Sequence, residues 1–137
     1  MTLEEALRLT MKAIEIAKAR HVSIAVAVVD AGGHLVTLHR MDRVPFIAAE
    51  VAWGKAWTAA AWGETSDDQA AKAAAVPQFA TAITVASGGR YTPQAGGIPL
   101  RQDGTVIGAV GASGLASGQT DEEILQQALA DTELGRA

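Results

Sequence analysis

Leu3, Leu7, Met11 and Ile14 fall on one stripe at helical spacing. Thr2, with Glu5 three residues later, has the spacing of a capping box, so a helix is expected from there to about Arg20. The pattern then changes. His21 to Asp30 (HVSIAVAVVD) is β-branched and apolar almost throughout, as in a strand buried on both faces. Ala31-Gly32-Gly33 supplies a hairpin turn, and His34 to Arg40 returns as a second strand. Arg43 to Pro45 interrupts, and a helix follows to about Trp62. Ser66 with Gln69 has capping-box spacing and predicts a short Ala-rich helix that Pro77 ends or interrupts. Ser87 to Gly104 is rich in Gly and Pro and has little helical promise. Ile98 to Arg101, an Asp-Gly turn and Thr105 to Gly111 predict a second hairpin, with Pro99 placing its strand at an edge or a bulge. Thr120 with Glu123 opens a last amphipathic helix, striped by Ile124, Leu125, Ala128 and Leu129.

The order is helix, hairpin, helices, hairpin, helix, which implies an antiparallel sheet rather than a doubly wound one. Strands apolar on both faces need cover on both. Helices are expected on one face and a second subunit on the other, giving an oligomer. The chain has 137 residues, enough for a single domain spanning 1–137. Its net charge of -4 and lack of a basic run argue against nucleic acid. With no cysteine, disulfides, thiolate zinc sites and iron–sulfur clusters are excluded. The acidic, amphipathic start is unlike a secretory signal, and no apolar stretch is long enough for a membrane span, so a cytoplasmic protein without membrane partners is expected.

Four segments occur in order along nearly the whole chain: VAVVDAGGHLVTLHRMD (26–42), GKAWTAA (54–60), GGIPLRQDGTVIGAVGASG (96–114) and TDEEIL (120–125). Together they resemble the GlcG/HbpS family, which includes the C-terminal domain of the PduO corrinoid adenosyltransferases. The resemblance implies an α/β profilin-like sandwich, with a five-stranded antiparallel sheet flanked by helices. It implies homodimers, in some members assembled into octamers. It also implies haem binding, in one branch with a role in haem sensing or degradation. This chain departs from the family pattern after Arg40-Met41-Asp42: relatives run through small residues there, whereas Phe46, Glu50, Trp53 and Trp57 stand here. None of the histidines falls in a block that carries over an axial ligand.

The candidate chemistry centres on Val51 to Gly63, which holds all three tryptophans. At about 100° per residue, Phe46, Ala49, Trp53, Trp57 and Ala60 share a stripe, while Lys55, Thr58 and Trp62 lie opposite. The stripe reads either as core packing or as a flat wall for a planar ligand. Glu50 at its rim would be desolvated by the indoles and suited to proton transfer, or else would point past them or pair with an arginine such as Arg40 or Arg43. Lys55 could meet a ligand carboxylate or a haem propionate, or sit on a solvated face. His39 alternates with Leu35 and Thr37 on one strand face and is the first choice for a haem axial or metal ligand. A histidine held by structural hydrogen bonds is the plain alternative. His34 is expected in solvent and His21 at a helix C-terminus. Ser87 to Gly97 is a loop with Arg90 to grip a carboxylate, Tyr91 to move a proton, and Gly96 and Gly97 for close approach. Gly108 to Gly114 is neither a Rossmann fingerprint nor a P-loop. Ser113 leads into the last helix, whose N-terminus could hold an anion.

Two functional classes stay open. One is a haem-binding protein with a Trp-lined hydrophobic pocket. The other is a metal-independent catabolic enzyme, of isomerase, hydratase or lyase type, in which Trp53 and Trp57 hold a flat or aromatic carboxylate and Glu50, His39 or Tyr91 moves the proton. An accessory subunit without ligand is a third reading.

Overall fold

The computed structural model describes residues 1–134. Its elements are α1 (Leu3–Ala19), β1 (Ile24–Asp30), β2 (Leu35–Arg40), α2 (Ile47–Trp62), α3 (Ser66–Ala75), α4 (Pro77–Ala86), β3 (Gly97–Gln102), β4 (Thr105–Gly114) and α5 (Gly118–Thr132). The sheet is antiparallel, in the order β2-β1-β4-β3. It has four strands among the described residues, not the five that the resemblance implied. The residue pattern itself contains only the four strand segments now seen.

Burial of β1 is nearly complete along its length. Ile24, Val26 and Val28 pack with Val110 and Ala112 of β4 against Leu9, Ala13 and Ile16 of α1 and Ile124 and Leu125 of α5. Ala25, Ala27 and Val29 point the other way, onto Ala48, Ala52, Ala56 and Ala59 of α2. The period-2 alternation of the strand thus serves two cores. Helices of this same chain cover both faces, so no second subunit is needed to bury the sheet. That corrects the premise from which an oligomer was first expected.

The α2 face of the sheet is built on small side chains. A Cβ added at Gly111 would lie 2.6 Å from the Ala56 backbone nitrogen and closer still to the Ala52 carbonyl oxygen. Alanine on the helix and glycine on the strand let the two backbones approach. The tryptophans therefore do not fill the gap between helix and sheet. They stand half-buried on the flanks of α2.

Element starts differ from expectation in three places. Thr65, not Ser66, caps α3 by accepting from Asp68 N–H. Ser117, not Thr120, caps α5 by accepting from the Thr120 N–H. Pro77 does not merely end α3: it begins α4, where a missing N–H costs nothing in the first turn. Pro99 does lie on an edge strand, beside a register shift at Leu100/Arg101.

Candidate functional site

His39 stands near the end of the edge strand β2. Two residues before it, the buried Thr37 hydroxyl lies 3.4 Å from that of Thr10 on α1, so this strand face looks onto α1. A groove of about 520 Å³ opens there, lined by Met11, Ile14 and Lys18 of α1, Ser23, and His39 to Arg43. That volume falls within the range of about 300–1,000 Å³ usual for small-molecule and cofactor sites. The His39 Nδ1 is buried and has no hydrogen-bond partner among the described residues. Buried polar atoms are usually paired, and this nitrogen of a groove-lining residue is an exception. Around it stand two thioethers, from Met11 and Met41, and three cations, Lys18, Arg40 and Arg43, against one acid, Asp42. The Met41 sulfur accepts from Ile24 N–H at 3.3 Å, and Arg40 donates to the Val44 carbonyl at 3.0 Å. Both bonds pin the segment after β2 back onto the sheet.

A second cavity, of about 490 Å³, gathers other sequence candidates. Lys55 and Ser113 line it, with Asp67, Gln94, Gly118, Gln119 and Asp121. Lys55 is not on a solvated face: it is only 3% exposed, and Asp121 only 1%. Lys55 Nζ donates to the Ala112 carbonyl at 2.9 Å and lies 3.6 Å from Asp121 Oδ2. Gly96, at φ +125°, closes over the ammonium, since a Cβ there would come 2.9 Å from Nζ. Gly97 N–H donates at 2.7 Å to Ser66 Oγ, which donates onward to the Gln94 carbonyl. These glycines are the close-approach positions of the loop. Asp121 was not singled out from the sequence. It is far from Lys55 along the chain, and only the sheet, which carries α2 on one face and α5 on the other, brings them together.

Burial lowers the Lys55 pKa, opposed by the Asp121 charge. Burial raises the Asp121 carboxyl from 3.8 to about 6, opposed by Lys55. A carboxyl whose pKa is higher folded than unfolded binds more protons when folded. Its stabilisation is full below about pH 4 and is lost as pH rises through about 6. Wild type is therefore expected to lose stability relative to Asp121→Asn between about pH 4 and 7, by on the order of 2–3 kcal/mol. Urea midpoints of both proteins across that range check it. A flat difference would show that Asp121 is not desolvated.

The remaining candidates form a third, aromatic region. Trp57 packs edge-on to Trp62 with centroids 6.3 Å apart, and Trp62 meets Tyr91 at 5.1 Å and Phe79 of α4 at 6.2 Å. The third tryptophan thus joins the second. Trp53 Nε1 donates to the Gly33 carbonyl at 3.2 Å, and a Cβ on Gly33 would come 2.6 Å from Trp57 Cδ1. Both stripe tryptophans clamp the β1–β2 turn. Arg90 lies over Trp53, 3.3 Å from the ring centroid, and pairs with Glu50 at 3.4 Å. The Glu50 side chain is 64% exposed, so the indoles do not desolvate it. It takes the arginine-paired alternative, but with Arg90 as partner rather than Arg40 or Arg43. Tyr91 is buried and donates its hydroxyl to Gln69 Oε1 at 3.1 Å. Phe46 is 78% exposed. Neither cavity described above is lined by a tryptophan. His34 is exposed, and His21 follows the C-cap of α1 in the left-handed region. No cluster of three His, Cys, Asp or Glu suited to a metal ion occurs among the described residues.

A family model described as "Haem degrading protein HbpS-like" matches residues 1–130. Protein GlcG of Escherichia coli (strain K12) is 40% identical over 92 residues, which are 66% of this chain and 64% of GlcG. The matched stretch therefore spans less than two thirds of that relative. Among solved structures, a PduOC:heme complex has a TM-score of 0.87 at 30% identity, covering 98% of this chain and 96% of that one. HbpS has a TM-score of 0.84 at 29% identity, covering 96% and 89%.

Proposed function

The chain belongs to the HbpS-like family, and we propose that it binds haem in the groove between α1 and β2, with His39 as axial ligand. The observation that carries this reading is the buried, unpartnered Nδ1 of His39, a residue that lines a cation-rimmed groove. The groove residues fit the group. Met11, Ile14 and Met41 offer polarisable and apolar surface for a flat macrocycle, and sulfur packs well on aromatic rings. Lys18, Arg40 and Arg43 offer donors to its propionates, with arginine able to bind a carboxylate bidentately. Haem when bound would supply an iron centre open to ligand binding or redox chemistry, tuned by its axial ligand and surroundings. What this chain contributes is an imidazole on a strand held by its pairing with β1, and a groove floor tied down by Met41 and Arg40. The similarity to a PduOC:heme complex supports the same reading.

A hemin titration of the purified protein, followed at the Soret band, tests it. One saturable haem per chain is expected, with binding retained in Trp53→Leu and Trp57→Leu, because neither ring lines the groove. A titration without saturation would remove the proposal. Loss of binding in the tryptophan variants alone would move the haem to the aromatic region.

Self-association is also proposed. α4 buries none of its residues, yet it and its N-cap are apolar, with Val76, Phe79 and Val85 exposed. A helix of apolar residues that buries none of them within its own chain is suited to contact with another molecule. Sedimentation at micromolar concentration should give a mass of at least two chains; a monomeric mass would contradict it. No described helix is long and apolar enough to cross a membrane.

A further inference from the structure

We propose that the cavity between α2, the 93–95 segment and the start of α5 binds a small uncharged molecule carrying several hydroxyl groups, held by Lys55 and Asp121. The site shares no lining residue with the His39 groove. Its first support is an open valence. The Asp121 side chain is 2% exposed, and its Oδ1 is buried with no hydrogen-bond partner among the described residues. A buried ion pair of purely structural use normally has its remaining lone pairs satisfied, because desolvating two charges is expensive. Here one carboxylate oxygen is left over, on a residue that lines a cavity of about 490 Å³. Lys55 is likewise incompletely used: an ammonium has three donors, of which one goes to Ala112 and one faces Asp121.

A hydroxyl group answers both needs at once. It donates to Asp121 Oδ1 and accepts from Lys55. Further hydroxyls would meet the Gln94, Ser113 and Gln119 side chains and the first-turn N–H groups of Gly118 and Gln119. The charge balance selects against an anion. The titratable groups lining the cavity are Lys55, Asp67 and Asp121, two acids to one base. Glu122 stands next to Asp121 on the same helix, adding negative charge nearby. The positive end of α5 already has Asp121 in its first turn. An apolar ligand would leave the orphan oxygen unpaired. A neutral molecule with several hydroxyls is the class that satisfies the site without adding charge.

Amide chemical shifts on titration with erythritol test this, with acetate as the anionic comparison. Saturable shifts are expected at Ser113, Gly114 and Gly118 to Asp121 with erythritol and not with acetate. Asp121→Asn is expected to weaken the erythritol affinity about tenfold, the scale of a hydrogen bond to a charged group. Ser113→Val, a β-branched residue on a strand, is expected to block the cavity while retaining the wild-type circular dichroism, so the test survives if Asp121→Asn does not fold. Three results would overturn the proposal: no saturable shift with erythritol up to about 100 mM, an unchanged affinity in Ser113→Val, or a preference for acetate.

Discussion

Gly111→Val is expected to destabilise the fold by more than about 4 kcal/mol. A Cβ at this position would sit 2.6 Å from the backbone nitrogen of Ala56 and even nearer the Ala52 carbonyl oxygen. Neither atom belongs to a side chain that could swing aside. The helix would have to lift from the sheet along β4, exposing Ala52, Ala56, Ala59 and Ala109, all within 1% of full burial. Overpacking with flexible neighbours costs about 1–3 kcal/mol, and a backbone collision at the centre of a core belongs above that range. Set against a total stability of about 5–15 kcal/mol, a loss of more than about 4 removes between about a quarter and most of it. The check is circular dichroism and urea unfolding of the purified variant. A cooperative transition within about 1 kcal/mol of wild type would mean that α2 does not pack as closely as described. The same closeness explains the alanine stripe of α2: larger residues there would hold the helix off the strand glycines.

The second large effect concerns His39. His39→Ala is expected to weaken hemin binding about a hundredfold or more, since outer-shell partners of metal ligands already cost 10–100-fold when removed. The fold should survive. His39 is only half-buried, and it makes no hydrogen bond through Nδ1 for the substitution to break. The variant therefore separates ligation from stability. Hemin affinity should fall while the urea midpoint stays near wild type. If hemin binds His39→Ala as tightly as wild type, the imidazole is not the ligand. If the variant is also strongly destabilised, His39 is a structural residue and the groove reading loses its main support.

Much of the fold was legible because it rests on local pattern. The stripe of α1, the unbroken apolar run of β1, the Asp-Gly turn and the stripe of α5 each come from neighbours within one or two turns. Helix starts were less legible where two candidate caps stood close together. Thr65 and Ser66 both have the chemistry for a cap, and burial of Ser66 decides between them, because its hydroxyl is used by Gln94 and Gly97 instead. α4 was missed because a proline can end one helix and begin another, and only the path of the chain tells which. The fifth strand came from the resemblance and not from any residue pattern.

The candidate site was legible residue by residue but not as an assembly. His39 was identified from its strand face, and the groove beside it comes from α1, which no short-range signal brings near. Lys55 was noticed in its segment, yet its partner Asp121 lies in another helix, joined only through the sheet between them. The tryptophans drew attention through their concentration in a chain with few aromatics. The structure sets two of them on the turn at Gly33 and two against each other, and it leaves the face toward the sheet to alanine.

The central claim is that an imidazole at position 39 holds haem, and chemical rescue addresses it most directly. His39→Gly would be mixed with hemin, and the Soret spectrum recorded with and without added free imidazole. The wild-type spectrum is expected to be lost in the variant and restored by imidazole, which would occupy the space the side chain vacates. A wild-type spectrum in His39→Gly without imidazole would place the ligand elsewhere and contradict the account.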